Sequence, residues 1–442
     1  MVRLTQNMPI GFAASGDGVL QRAFHSYSEA SGATQALAPR KVELLRQYDV
    51  PGMNRAAAIC YWGRSGTLLL ASYLDNHPDI VMLPVLTSAP IYPFVHEYES
   101  LSIWEKLIAY PEYSGLMKIN EGEFAVTAAP VVAADYYAAV QALFALYGGE
   151  PAAWLNTSRR FFQFVHVAYA VGIGRRSDNP RPLMVYAQHY VNQDHAERFI
   201  RDFPEGQFIH TIRDPISGVD TWFDRQTQLE MNDRGRRADL SVSFLDPAVA
   251  TMSVLLTWDC AHQGMGTRSR AIRFEDMHLA PKATMDRLAN WLGIPYHPCL
   301  IESTWNGTPY VVDVRGVRCC GATPANAKRR SKNLPLKDRL LVFALFHENF
   351  VRWNYPCPNA MRRRWIRLST IALLCLIPMR MELSTARMIM QGQALPNLRK
   401  GRLAFALRAP FFLLKRRLRM MSLITAQAHT RRSGYQGLLK TL

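Results

Sequence analysis

AAAICYWGRSGTLLLASYLDNHPDI, residues 56–80, joins a short apolar strand, a Gly/Ser turn and an amphipathic helix without a break. The run Ala57 to Tyr61 reads as a buried strand that delivers the chain into Gly63-Arg64-Ser65-Gly66-Thr67. Small residues there let backbone N–H groups converge on the start of a helix expected from Thr67 to Asn76. A helix N-terminus of this kind favours a bound anion through its free N–H groups and its dipole. Arg64 adds a full positive charge, Ser65 and Thr67 add hydroxyl donors, and Leu68 opens the first turn. The loop is shorter than GxxxxGK[ST] and has no Lys before its Ser/Thr, which disfavours a nucleoside triphosphatase. Taken alone, the stretch is equally a plain strand-to-helix turn with an exposed Arg.

A second stretch, GQFIHTIRDPISGVDTWFDR at residues 206–225, repeats the arrangement. The apolar strand Phe208 to Ile212 ends in Arg213-Asp214-Pro215, and a helix is expected to open near Pro215. Open α/β sheets place their ligand contacts at the carboxyl ends of strands, where Arg213 falls. Thr221 follows eight residues later, about two helical turns on, so one cation and one hydroxyl can share an anion.

Together the two stretches resemble the sulfotransferase family that uses 3′-phosphoadenosine-5′-phosphosulfate (PAPS). In that family a [K/R]-S-G-T loop after the first strand grips the 5′-phosphosulfate, and Arg64-Ser65-Gly66-Thr67 is similar to it in its Arg form. A later strand ends in RDP or RN with a Ser eight residues after the Arg, and this pair holds the 3′-phosphate; Arg213 and Thr221 occupy those positions. AIRFEDMHLAPKATMDRLANWLGIPYHP, residues 271–298, is similar to the family's strand, Y/F-E-D, helix and LG[IL]P segment, and Trp305-Asn306-Gly307 to the segment after it. The resemblance covers roughly residues 53–355. It implies an α/β fold with a central parallel sheet flanked by helices and a P-loop-like strand–loop–helix. It also implies PAPS as donor, adenosine 3′,5′-bisphosphate as product, and no metal.

The implied chemistry needs a cation at the oxygen that bridges phosphate and sulfate, and a base for the acceptor hydroxyl. Arg64 is the candidate for the first, because a charge aimed at the leaving oxygen acts most strongly in the transition state. His189, after the apolar run Leu183-Met184-Val185-Tyr186, stands where several branches of the family have a strand-end catalytic His. The usual Lys lead-in is replaced here by Tyr186-Ala187-Gln188. Branches that use a Glu after the first helix find none in His77-Pro78-Asp79-Ile80-Val81-Met82-Leu83-Pro84, and His96 and Glu97 are the reserve candidates. Phe274 occupies the place of the family's adenine-contacting Tyr, although a strand-end aromatic is more often core. Arg315-Gly316 and Arg329-Arg330 are the pairs that a closing loop over the 3′-phosphate would offer, and a solvated surface loop explains them as well.

A chain of 442 residues with 49% hydrophobic content allows a sizeable core. The expected organisation is an N-terminal extension over 1–52, a sulfotransferase domain over 53–355 and a C-terminal tail over 356–442. Seven Cys without a CxxC pair argue against a zinc ribbon or disulfide framework. Residues 1–20 do not read as a secretory signal. The formal charge of +17 is a property of the tail, which holds 17 of the 52 Lys+Arg and one of the 35 acids, Glu382. Residues 1–355 therefore carry 35 basic and 34 acidic side chains.

The tail interleaves its charge with apolar runs. Arg362-Arg363-Arg364-Trp365 precedes the uncharged run Leu368 to Met379, and Leu403 to Leu414 is followed by Lys415-Arg416-Arg417-Leu418-Arg419. Neither run reaches the ~20 residues that span a bilayer. Both suit a helical extension lying in an anionic membrane interface, with Trp365, Phe405, Phe411 and Phe412 inserted. Packing on the domain or self-association is the alternative, and the aliphatic runs argue against nucleic acid. The expectation is a cytoplasmic enzyme, peripheral on the cytoplasmic face of a membrane, acting on a hydroxyl of a glycolipid, lipid-linked glycan or other amphiphile. A non-catalytic nucleotide-binding scaffold and a Mg²⁺-dependent, kinase-like phosphotransferase are the rival classes.

Overall fold

The computed structural model describes residues 16–61, 65–84, 91–117, 131–189, 193–221, 268–314, 317–328, 334–374, 377–380, 383, 418 and 440–442. In chain order the first strands are β1 (Ala56–Tyr61), β2 (Ile80–Met82), β3 (Leu183–His189), β4 (Gln207–Ile212) and β5 (Ser269–Arg273). The chain divides into two compact units that alternate along the sequence.

The first unit comprises Met1–Arg55, Pro78–Met184 and Asn306–Thr308. Its helix Gly16–Leu45 packs on the helices Ile103–Ser114, Ala133–Tyr147 and Ser158–Gly172. Aromatic residues make much of its core: Phe94 lies 5.2 Å from Tyr110 and 5.5 Å from Phe161, ring centre to ring centre. Buried Lys41 is satisfied within the unit. Its ammonium reaches Asp135 at 2.6 Å and donates to the carbonyls of Val171 and Gly172, as a buried cation requires.

The second unit comprises Ala56–His77, Val185–Trp305 and Pro309–Leu442. It carries a parallel sheet in the order Lys440–Thr441, β5, β4, β1, β3. The central strands β1 and β4 are buried on both faces, which is why they read as near-continuous apolar runs rather than alternating ones. Cys60 lies opposite His210, and Ile212 opposite Arg273. The carboxyl ends of β1, β4 and β5 therefore share one edge of the sheet, and the segments that follow them leave from that edge.

The helix after β1 spans Thr67–Leu74, shorter than the expected run to Asn76. Tertiary contacts set its end. Asp75 accepts from Thr304 Oγ1 at 3.0 Å, and His77 Nε2 lies 3.0 Å from the carbonyl of Pro295. The expected helix after β5 is present as two, Phe274–Leu279 and Pro281–Leu292. Pro281 starts the second, and Gly293 in the left-handed region (φ 67°) stops it, the usual proline and glycine asymmetry of helix ends. In the tail, the helix Arg364–Leu374 packs on Leu336–Leu345, and Leu442 donates its N–H to Ala271 at 3.0 Å. Among the described residues no helix is long and apolar enough to cross a membrane.

Candidate active site

The loop after β1 is described from Ser65 onward; Gly63 and Arg64 lie outside the described residues. Gly66 sits at φ 94°, a left-handed conformation that side chains other than glycine adopt at a cost. A Cβ there would also collide with Phe274 Cδ2 and come within 3.1 Å of Met277 Cε, so both conformation and space demand glycine. Because glycine carries no capping side chain, the first-turn N–H groups of Thr67 and Leu68 are left for water or an anion. Both loop hydroxyls are buried and turn to the neighbouring strand. Ser65 Oγ lies 2.6 Å, and Thr67 Oγ1 2.8 Å, from Thr211 Oγ1 of β4.

The second loop leaves β4 two residues after Thr211. Burial pulls the Arg213 guanidinium below its ordinary pKa, and the charges of Glu275, Tyr355, Asp214 and Asp220 oppose this. A guanidinium nevertheless stays protonated in a protein, so the edge carries a fixed positive charge. Its carbon stands 4.3 Å over the ring of Phe274, a cation–π contact. Phe274 is thus the common neighbour of Gly66 in one loop and Arg213 in the other. A helix opens at Pro215 and runs through Thr221, whose hydroxyl donates to the Ser217 carbonyl at 2.8 Å.

Glu275 holds this turn in place. Its carboxylate accepts from the Asp214 N–H at 3.2 Å and from the Tyr355 hydroxyl at 2.6 Å. Burial raises the Glu275 pKa, and the Tyr355 hydrogen bond works against the rise. Its counterpart Arg273 stands over the Tyr355 ring at 4.5 Å. His278 closes the cluster, its ring edge-on to Phe274 at 4.5 Å, with Nδ1 accepting the Thr323 N–H at 2.8 Å. Burial, then the nearby Arg213, lowers the His278 pKa to about 4. The imidazole is neutral at pH 7, with its hydrogen on Nε2.

The structure brings Ser65, Gly66, Thr67, Leu68, Arg213 and Phe274 to one edge of one sheet, and Thr221 stands further along the helix that leaves it. β3 ends at His189, whose side chain lies outside the described residues, as do Arg315-Gly316 and Arg329-Arg330. His96 and Glu97 are exposed in the first unit, where Glu97 accepts from the Tyr113 hydroxyl at 3.1 Å. Sequence reasoning did not assign Thr211, Glu275, His278 or Tyr355. Glu275 had a signal, the carboxylate directly after Phe274, whereas Tyr355 is 80 residues further on. Among the described residues no group of His, Cys, Asp and Glu is placed to hold a metal.

A central parallel sheet flanked by helices, with a strand–turn–helix unit after β1 and another after β4, has the architecture of the sulfotransferase fold. The chain belongs to the sulfotransferase family, whose sequence profile matches residues 59–298, more than half of its length. Among solved structures it is similar to the sulfotransferase domain from the curacin biosynthetic pathway, at 17% identity over 69% of this chain and 99% of that one, with a TM-score of 0.39. It is also similar to the sulfotransferase domain of the Synechococcus PCC 7002 olefin synthase, at 16% identity over 70% and 99% (TM-score 0.41). A third is the sulfotransferase STF9 from Mycobacterium avium, at 14% over 62% and 74% (TM-score 0.29). A search of curated proteins gives no significant match.

Proposed function

We propose that this chain transfers a sulfuryl group from PAPS to the hydroxyl of an amphiphilic acceptor such as a glycolipid or lipid-linked glycan. The observation that carries the donor assignment is that the turns after β1 and β4 share one aromatic neighbour, Phe274, which packs against Gly66 and lies under the Arg213 guanidinium. A nucleotide with phosphate groups at both 5′ and 3′ positions matches two such turns.

In the reaction the acceptor oxygen forms a bond to sulfur as the bond from sulfur to the bridging phosphate oxygen breaks. The acceptor proton goes to His189, and adenosine 3′,5′-bisphosphate leaves with the electron pair. Arg64 and the first-turn N–H groups of Thr67 and Leu68 are assigned to the charge that develops on the leaving oxygen. Arg213 and Thr221 are assigned to the 3′-phosphate. The Thr221 hydroxyl gives its hydrogen to Ser217, and rotation would redirect it to a phosphate.

The test is calorimetry with adenosine 3′,5′-bisphosphate and 5′-AMP. Arg213→Ala should weaken the bisphosphate by about 1.5–3 kcal/mol, the range for a hydrogen bond to a charged group, and erase its preference over 5′-AMP. Thr221→Val should cost less. Equal binding of both nucleotides by the wild type overturns the donor assignment. Turnover of the phosphosulfate that survives a metal chelator separates sulfuryl transfer from kinase-like chemistry and from a silent scaffold.

The acceptor class rests on the tail. In the helix Arg364–Leu374 no residue is buried, and Trp365, Leu368 and Leu373 are 64%, 54% and 64% exposed. With Ser369 and Ala372 they follow the i, i+3, i+4, i+7, i+8 spacing of one helix face. Exposed Arg362, Arg363 and Arg364 stand at its start. An outward apolar face headed by three cations is complementary to an anionic lipid surface, which favours a peripheral enzyme on the cytoplasmic face of a membrane.

A further inference from the structure

The loop after β1 meets β4 at the hydroxyl of Thr211. Its Oγ1 lies 2.6 Å from Ser65 Oγ and 2.8 Å from Thr67 Oγ1, and those two lie 3.3 Å from each other. All three side chains are buried. Each hydroxyl has one hydrogen to donate, and a triangle has three edges. Three hydrogens are enough to close the triangle, each O–H donating once and accepting once. Its longest and weakest edge joins Ser65 to Thr67.

We propose that Thr211 is a positioning residue that relays hydrogen bonds into the 5′-side anion loop. The proposal rests on the reading of residues 63–67 as that loop. When an anion arrives, the hydroxyl donating across the long edge turns its hydrogen to the ligand. Thr211 keeps both short edges, accepting from one loop hydroxyl and donating to the other. The result is a directed chain, loop hydroxyl to Thr211 to second loop hydroxyl to anion, whichever sense the resting ring had. No covalent bond changes and no proton changes owner. Hydrogen bonds in such a chain polarise one another, by ~10–30% per bond. Thr211 lies in β4, which pairs with β1 and β5 in the sheet. The same strand that holds the loop hydroxyls is thus followed directly by Arg213, two residues on from Thr211, and the spacing between the two proposed anion positions is set by one rigid element.

The test compares Thr211→Val, which keeps the shape and loses the hydroxyl, with Thr211→Ser, which keeps the hydroxyl. Calorimetry on the full chain uses adenosine 3′,5′-bisphosphate, 5′-AMP and adenosine 3′-monophosphate. Thr211→Val should weaken the bisphosphate and 5′-AMP by about tenfold, the scale of one charged hydrogen bond. It should leave the 3′-monophosphate unchanged, and Thr211→Ser should bind all three as the wild type does. Wild-type affinity for 5′-AMP in the Val variant overturns the relay. So does an equal loss for all three nucleotides, which would mean that the end of β4 had moved and taken Arg213 with it. If the Val variant does not fold, Thr211→Ala carries the same comparison. A wild type that binds the bisphosphate no better than 5′-AMP would instead fault the two-loop reading, while the 5′-AMP comparison still decides the relay.

Discussion

His278 is kept neutral by its surroundings, and the sign of the consequence is fixed. Its pKa falls from 6.5 unfolded to about 4 folded, so the unfolded chain binds a proton that the native one refuses. The stability this group contributes is fully present above pH 6.5 and is lost as pH falls toward 4. Protonation would also force Nδ1 to give up the Thr323 N–H. Denaturant titrations at pH 7 and 4.5 should show a loss of stability in the wild type that is smaller in His278→Gln; an equal loss in both would place the acid-sensitive group elsewhere. Kinetics separate the two catalytic candidates. On the proposed assignment of its charge to the leaving oxygen, Arg64→Ala should lower kcat strongly. His189→Ala should spare bisphosphate affinity and cut turnover by about 10²-fold or more, within the range of a general base. Wild-type turnover in the His189 variant would transfer the role of base to Glu97 or His96.

The elements that frame the site were legible because their signals are local. An apolar run ending in Gly and Ser predicts a strand and a helix start, and β1 and Thr67–Leu74 fall where that pattern puts them. Leu292-Gly293-Ile294-Pro295 likewise encodes a helix end in four residues. What the sequence hid are contacts across sequence distance. Thr211 reads as one more β-branched strand residue, since nothing near it in the chain announces Ser65 and Thr67, about 145 positions away. Phe274 was legible as a strand-end aromatic, but its packing against Gly66 depends on the register of β5 on β4 and β4 on β1. The C-terminal pairing of Lys440–Thr441 with Arg270–Ala271 has no signal either, because two residues carry no period.

For the whole molecule, the charge is divided so that the first 355 residues are nearly neutral and the tail carries the excess. If that excess holds the protein on an anionic surface, the described anchor is the outward face of Arg364–Leu374. Each basic side chain near such a surface contributes about 1 kcal/mol, and the apolar face adds burial that salt does not screen. Deleting residues 356–442 would also remove the strand on the edge of β5 and the helix lying on Leu336–Leu345, so substitutions on the exposed face are the cleaner probe. Full-length protein should float with vesicles containing anionic lipid at low salt and partly release at high salt. A Trp365→Glu/Leu368→Glu/Leu373→Glu variant should stay in the soluble fraction with unchanged affinity for adenosine 3′,5′-bisphosphate, because none of the three side chains is buried. Full-length protein that remains soluble beside anionic vesicles at low salt would reassign the face to self-association or packing, and would remove the ground for an amphiphilic acceptor while leaving the donor assignment intact.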